Sequence, residues 1–154
     1  MKSPAAESPD GVSTVTVLSV GPLGEDHLCL KDLLRCSDPA LCANCIWKVE
    51  PSFTSRAALE RLRAGVVPIV LCESDQDPDA WKEMLDWLSQ LPDAPCLIVT
   101  SRQADDHLWV EALNLGAYDV LSKPFDRIEV LRVLRSAWEN WKDRRPRAKA
   151  MAAA

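Results

Sequence analysis

The chain has 154 residues, enough for one domain that buries its own core without disulfides or a structural metal. Its composition, 47% hydrophobic and 27% charged, excludes a disordered chain. A net charge of −5, from 18 basic against 23 acidic residues, argues against nucleic acid and anionic membranes as partners. No apolar run approaches the roughly 20 residues of a spanning helix. Met1–Asp10 carries no apolar core of an export signal, so a cytoplasmic location is expected.

Residues 1–13 are rich in Pro, Ser and Ala and read as a flexible leader. Val15–Val20 (VTVLSV) is a β-branched strand ended by Gly21-Pro22. Glu25–Arg35 is helical, with Leu30, Leu33 and Leu34 on neighbouring turns. Trp47–Ser52 is a short strand, and Pro51 near its end places it at a sheet edge. Thr54-Ser55 caps a helix with inner residues Ala58, Leu59 and Leu62, which Gly65 stops. Val66–Cys72 (VVPIVLC) is nearly continuous apolar sequence, as in a strand buried on both faces.

Asp79 is placed to cap the next helix, whose inner residues are Met84, Leu85 and Leu88. Leu97–Thr100 is another buried run. Ala104–Leu115 turns Leu108, Ala112 and Leu115 to one face, and Gly116 ends it. Tyr118–Leu121 is the last strand, and a helix over Asp126–Trp141 carries Leu131, Leu134, Trp138 and Trp141 on one stripe. Residues 142–154 read as a basic, flexible tail.

Five strands alternating with five helices imply an α/β fold, a parallel sheet covered on both faces through right-handed crossovers. The expected arrangement is a doubly wound five-stranded sheet in the order 2-1-3-4-5, spanning residues 14–141. Its functional rim lies at the carboxyl ends of the strands. That geometry alone nominates Gly21, Pro22, Glu73, Thr100 and Lys123.

Three segments at that rim resemble the response-regulator receiver domain of two-component signalling, a flavodoxin-like (βα)5 fold. GAYDVLSKPF (Gly116–Phe125) is similar to the family's Lys-Pro-Phe ending, LIVTS (Leu97–Ser101) to the strand that ends in its hydroxyl residue, and IVLCESD (Ile69–Asp75) to the strand that ends in its phospho-accepting Asp. The resemblance implies a module in which two acidic residues and the acceptor Asp hold Mg2+, while Thr and Lys answer the phosphoryl group. Its partners would be a histidine kinase or an output protein. It implies no enzyme of its own.

The sequence departs from that pattern where the chemistry is concentrated. The acidic pair falls on Gly21 and Pro22, whose side chains cannot ligate a metal; Glu25 and Asp26 follow in the first helical turn, too late for the match. The acceptor position is Glu73, and the residue three before the Lys, often aromatic in the family, is Val120. A carboxylate displaced by one methylene is badly placed for in-line attack, and about 1 Å of misplacement costs about 100-fold in rate. Thr100 and Lys123 match. The expectation is an atypical, stand-alone receiver-like domain, with the Mg2+ site lost and Glu73 reaching Lys123 and Thr100. It would be held in one state and act by protein–protein contact. The alternative is phosphorylation at Glu73 or at nearby Asp75. Too few residues follow Trp141 for a DNA-binding output domain, so any control of transcription would run through a partner.

Cys36, Cys42 and Cys45 form C-x5-C-x2-C, which could serve a zinc- or redox-responsive module but lacks a second matched pair. Trp109, Trp138 and Trp141 belong to the fourth and fifth helices and mark a candidate interaction surface, including a homodimer contact. His27 and His107 read as helix-surface residues without a nucleophile beside them.

Overall fold

The computed structural model describes residues 5–7, 11–35 and 44–153, with side chains over 11–35 and 44–144. Its centre is β2 (Ser13–Val20), which pairs in parallel with β3 (Cys45–Ser52) along its whole length. On its other side Val17–Val20 pair with β4 (Ile69–Glu73). β5 (Cys96–Ser101) and β6 (Asp119–Ser122) extend the sheet, both parallel. The parallel order β3-β2-β4-β5-β6 is the expected 2-1-3-4-5 arrangement. Among the described strands β3 pairs with β2 alone, and Pro51 sits on it without a backbone N–H.

Both chain ends depart from expectation. Ala5–Glu7, placed in the flexible leader 1–13, form β1 and pair antiparallel with Ser13–Val15. The reason is a mismatch of lengths. β4 covers only the upper half of one edge of β2, and β1 takes the backbone groups left over. Of the expected flexible tail, 142–154, the described residues 142–153 continue α5 (Arg127–Ala153). Its Lys, Arg and Ala residues are good helix formers. Arg144 also ties this turn to the sheet, donating to the Ala94 carbonyl at 3.1 Å and to Cys96 Sγ at 3.4 Å.

The other helices are α1 (Gly24–Leu34), α2 (Ser55–Ala64), α3 (Ala80–Leu88) and α4 (Asp106–Leu115). Thr54 caps α2 by accepting from the Ala57 N–H at 3.1 Å, and Asp105 caps α4 by accepting from Leu108 at 2.9 Å. Asp79 precedes α3, but its side chain accepts no capping bond. Gly116 closes α4 at φ 110°, a left-handed conformation that a side chain would strain.

Alternation along the buried strands divides the core. Val17, Ile69, Leu71, Ile98 and Leu121 pack with Leu30, Val130 and Leu134 of α1 and α5. Leu18, Val70, Cys72, Leu97, Val99 and Val120 pack with Ala58, Trp81, Leu88 and Ala112 of α2, α3 and α4. Trp138 and Trp141 lie in the first of these layers, 4% and 3% exposed, stacked with centroids 5.7 Å apart. They therefore cannot anchor a partner as expected, because the hydrophobic stripe of α5 faces the sheet. Trp109 is half-buried. Among the described residues no helix is long and apolar enough to cross a membrane.

Candidate functional site

The parallel strands bring their carboxyl ends to one rim, and a single ammonium organises it. Lys123 follows β6, and its backbone N–H donates to the Ser101 carbonyl at 2.9 Å, which fixes where its side chain begins. The Nζ lies 2.8 Å from Asp26 Oδ2, 2.9 Å from Asp75 Oδ2 and 3.3 Å from Glu73 Oε2. The Lys123 and Glu73 side chains are only 3% and 4% exposed, whereas Asp26 and Asp75 are partly open to solvent. Burial works against the Lys123 charge. Hydrogen bonds to Asp26 and Asp75 and the charge of Glu73 more than offset it, and hold the amine above the usual lysine range.

Glu73 and Asp75 are two residues apart and live in different surroundings. Both Glu73 oxygens are buried without a hydrogen-bond partner, so its approach to Lys123 is ionic only. The expected contact with the Thr100 hydroxyl is therefore not made. The Glu73 carboxylate turns toward Gly21 instead: a Cβ at position 21 would sit 3.0 Å from Oε2 and 3.2 Å from the Glu73 Cβ. Thr100 contributes its carbonyl, which accepts from the Ser74 N–H at 3.0 Å and the Ser74 hydroxyl at 3.3 Å.

Asp75 has the richer set of partners. Oδ1 accepts from the Ser101 hydroxyl at 2.9 Å and from the Arg102 N–H at 2.9 Å, and Oδ2 lies 3.2 Å from the same N–H. Ser101 is itself held, its Oγ accepting from the Gln103 N–H at 3.0 Å. Burial pushes the Asp75 carboxyl up, but the bonds from Lys123, Arg102 and Ser101 together outweigh it and hold the group below the usual carboxylate range.

The loop after β2 is fixed from behind by a residue the sequence reading placed on the helix surface. His27 is buried. Its Nε2 donates to the Gly21 carbonyl at 2.9 Å, its Nδ1 meets Ser19 Oγ at 2.8 Å, and its ring packs edge-on against Phe53. Asp26, passed over as too late in the chain, reaches the site because the first turn of α1 faces the rim. Two acidic residues in that turn were the available signal, since carboxylates suit a helix N-terminus. Ser101 and the Arg102 amide carried no such signal.

Receiver domains hold Mg2+ with an acidic pair and the acceptor Asp. Here the pair's positions are Gly21, whose carbonyl already accepts from His27, and Pro22. Among the described residues no group of three His, Cys, Asp or Glu is placed to hold a metal ion. Gly21 and Pro22 offer that ion no side-chain ligand. Of the cysteine cluster, Cys36 and Cys42 lie outside the described residues, and Cys45 is buried in β3.

No family model and no curated protein matches the sequence. Solved structures do match the fold. A response regulator from Thermotoga maritima is 19% identical, with 82% of this chain and 98% of that one covered at a TM-score of 0.69. The signal receiver domain of an HD domain-containing protein from Pseudomonas fluorescens Pf-5 is 25% identical, covering 86% and 93% at 0.68. The chemotaxis response regulator CheY4 of Vibrio cholerae is 15% identical, covering 80% and 98% at 0.64. With the strand order, the two helical layers and these likenesses together, the fold of the chain is that of the response-regulator receiver domain.

Proposed function

We propose that the chain is an atypical receiver-type domain in two-component signalling. It acts in the cytoplasm, without enzymatic activity, by protein–protein contact and not by Mg2+-assisted phosphorylation. The observation that carries this reading is the position of the Lys123 ammonium. It contacts three carboxylates at once at a rim where Gly21 and Pro22 supply none. One ammonium already ties the three carboxylates together, and neither Gly21 nor Pro22 adds a side-chain ligand through which a divalent ion could assist a phosphoryl transfer. The partner would be a histidine kinase or an output protein. Val110 and Leu113, exposed on α4, support such a contact and leave a homodimer through α4 open to sedimentation analysis.

The test is incubation with a small phosphodonor and Mg2+, read by intact mass, with a parallel Mg2+ titration. Unchanged mass and no saturable site at about millimolar Mg2+ are expected. Phosphorylation at Glu73 or Asp75, or a millimolar or tighter Mg2+ site, would overturn the proposal.

A further inference from the structure

The bonds converging on Asp75 come from separate segments of the chain. Ser101 gives a hydroxyl from the end of β5, and Arg102 gives a backbone N–H from the turn that follows. Lys123 gives an ammonium from beyond β6. One hydroxyl, one amide and one ammonium aimed at the same two oxygens make a seat for an oxyanion. Beside it lies a cleft of about 400 Å³, lined in part by Asp75, Pro78, Trp81, Ser101 and Arg102. Asp75 is not at the acceptor position; it stands two residues later, outside β4.

We propose that the Asp75 carboxylate is a resident anion. It fills this seat from within and straps the β4–α3 loop to the β5–α4 turn and to Lys123, as an autoinhibitory contact that excludes a free tetrahedral oxyanion. This rests on the receiver-type reading and adds its regulation: the state in which the domain is held is set by Asp75 and not by Glu73. The geometry separates the two carboxylates. Glu73 has no hydrogen-bond donor on either oxygen, whereas Asp75 accepts from a hydroxyl and an amide besides meeting Lys123. The strap holds the entry to α4, because Gln103 hangs on Ser101 and Asp105 on Gln103.

The experiment is amide hydrogen exchange on the full chain and on Asp75→Ala, with and without inorganic phosphate as the probe. In Asp75→Ala the Arg102 and Gln103 amides should exchange at least about tenfold faster. Millimolar inorganic phosphate should restore their protection in the variant and leave the parent chain unchanged. Ser101→Ala, which removes the seat from the other side, should loosen the same amides without rescue by phosphate; it keeps the test decisive should Asp75→Ala not fold. Unchanged protection at Arg102 in the folded variants, or phosphate acting equally on the parent chain, would overturn the strap. Phosphodonor labelling of the parent chain bears on the receiver-type reading alone, so the two failures are distinguishable.

Discussion

Replacing Lys123 by methionine keeps the length of the stem and removes the charge that three carboxylates share. The parent contacts are 2.8, 2.9 and 3.3 Å, and the ammonium is 3% exposed, so solvent cannot take over its role. Removing one partner from a buried ion pair costs about 3–5 kcal/mol, because the remaining charge stays behind uncompensated. Here Asp26 and Asp75 are partly solvated and can relax, while Glu73 cannot, which places the cost near the low end, about 3 kcal/mol. For a chain of this size that is roughly 6–12 °C in Tm. The pH dependence carries the sharper test. Lys123 is raised in the folded state, so its contribution is complete below the ordinary lysine value of 10.5 and is lost as pH rises through the higher folded value. Asp75 is lowered, so its contribution is complete above the ordinary value of 3.8 and is lost as pH falls through the lower folded value. With respect to these two groups the parent chain is flat between roughly pH 5 and 9. In Lys123→Met the three carboxylates repel at neutral pH, and acidification toward pH 5 relieves them. Urea unfolding followed from pH 5 to 8 should therefore give a variant that gains stability on acidification while the parent does not. A variant within about 0.5 kcal/mol of the parent at pH 7, with the same pH slope, would refute the idea that one ammonium holds the cluster together.

Gly21→Ala should cost about 1–2 kcal/mol in chemical unfolding, because its Cβ meets Glu73 Oε2 at 3.0 Å, and Glu73→Asp should recover part of that cost in a double-mutant cycle. Trp138→Ala should destabilise by about 3–5 kcal/mol and leave the sedimentation coefficient of the folded protein unchanged, as expected of a core residue and not of an interface anchor. At pH 8 the native protein should alkylate at exposed Cys29 and resist at Cys72, whose thiol burial and the neighbouring Glu73 and Asp77 charges push up to about 12; peptide mapping reads both sites.

The architecture was legible because it is written in long-range pattern. Runs such as Ile69–Cys72 and Cys96–Val99 lack alternation, which only a sheet covered on both faces requires. Thr54 and Gly116 marked real helix ends. β1 was not legible, since a three-residue Ala-Ala-Glu segment has no periodicity and pairs only because β4 is shorter than β2. At the rim, strand register sets Glu73 opposite Thr100. Register fixes backbones, however, and a glutamate tip has enough freedom to turn to whatever space a neighbouring loop leaves. Asp26 is 97 positions from its partner, and no local spacing links them. Trp138 and Trp141 were read for their residue type, although the stripe they share with Leu134 already pointed inward.

Gly21 and Glu73 behave as one feature. A carboxylate one methylene longer than aspartate, buried at the end of β4, needs room, and the space it occupies is the space that a side chain at position 21 would take. With an acidic residue at 21, its Cβ would crowd Glu73 and a further like charge would enter a site that already holds three carboxylates. The Gly21 backbone is held from the other side, where His27 donates to its carbonyl while its other nitrogen meets Ser19. Restoring an acidic residue at position 21 alone would therefore add charge and crowding together. A divalent cation would gain a seat only if Glu73 were shortened and the Gly21 carbonyl freed in the same chain.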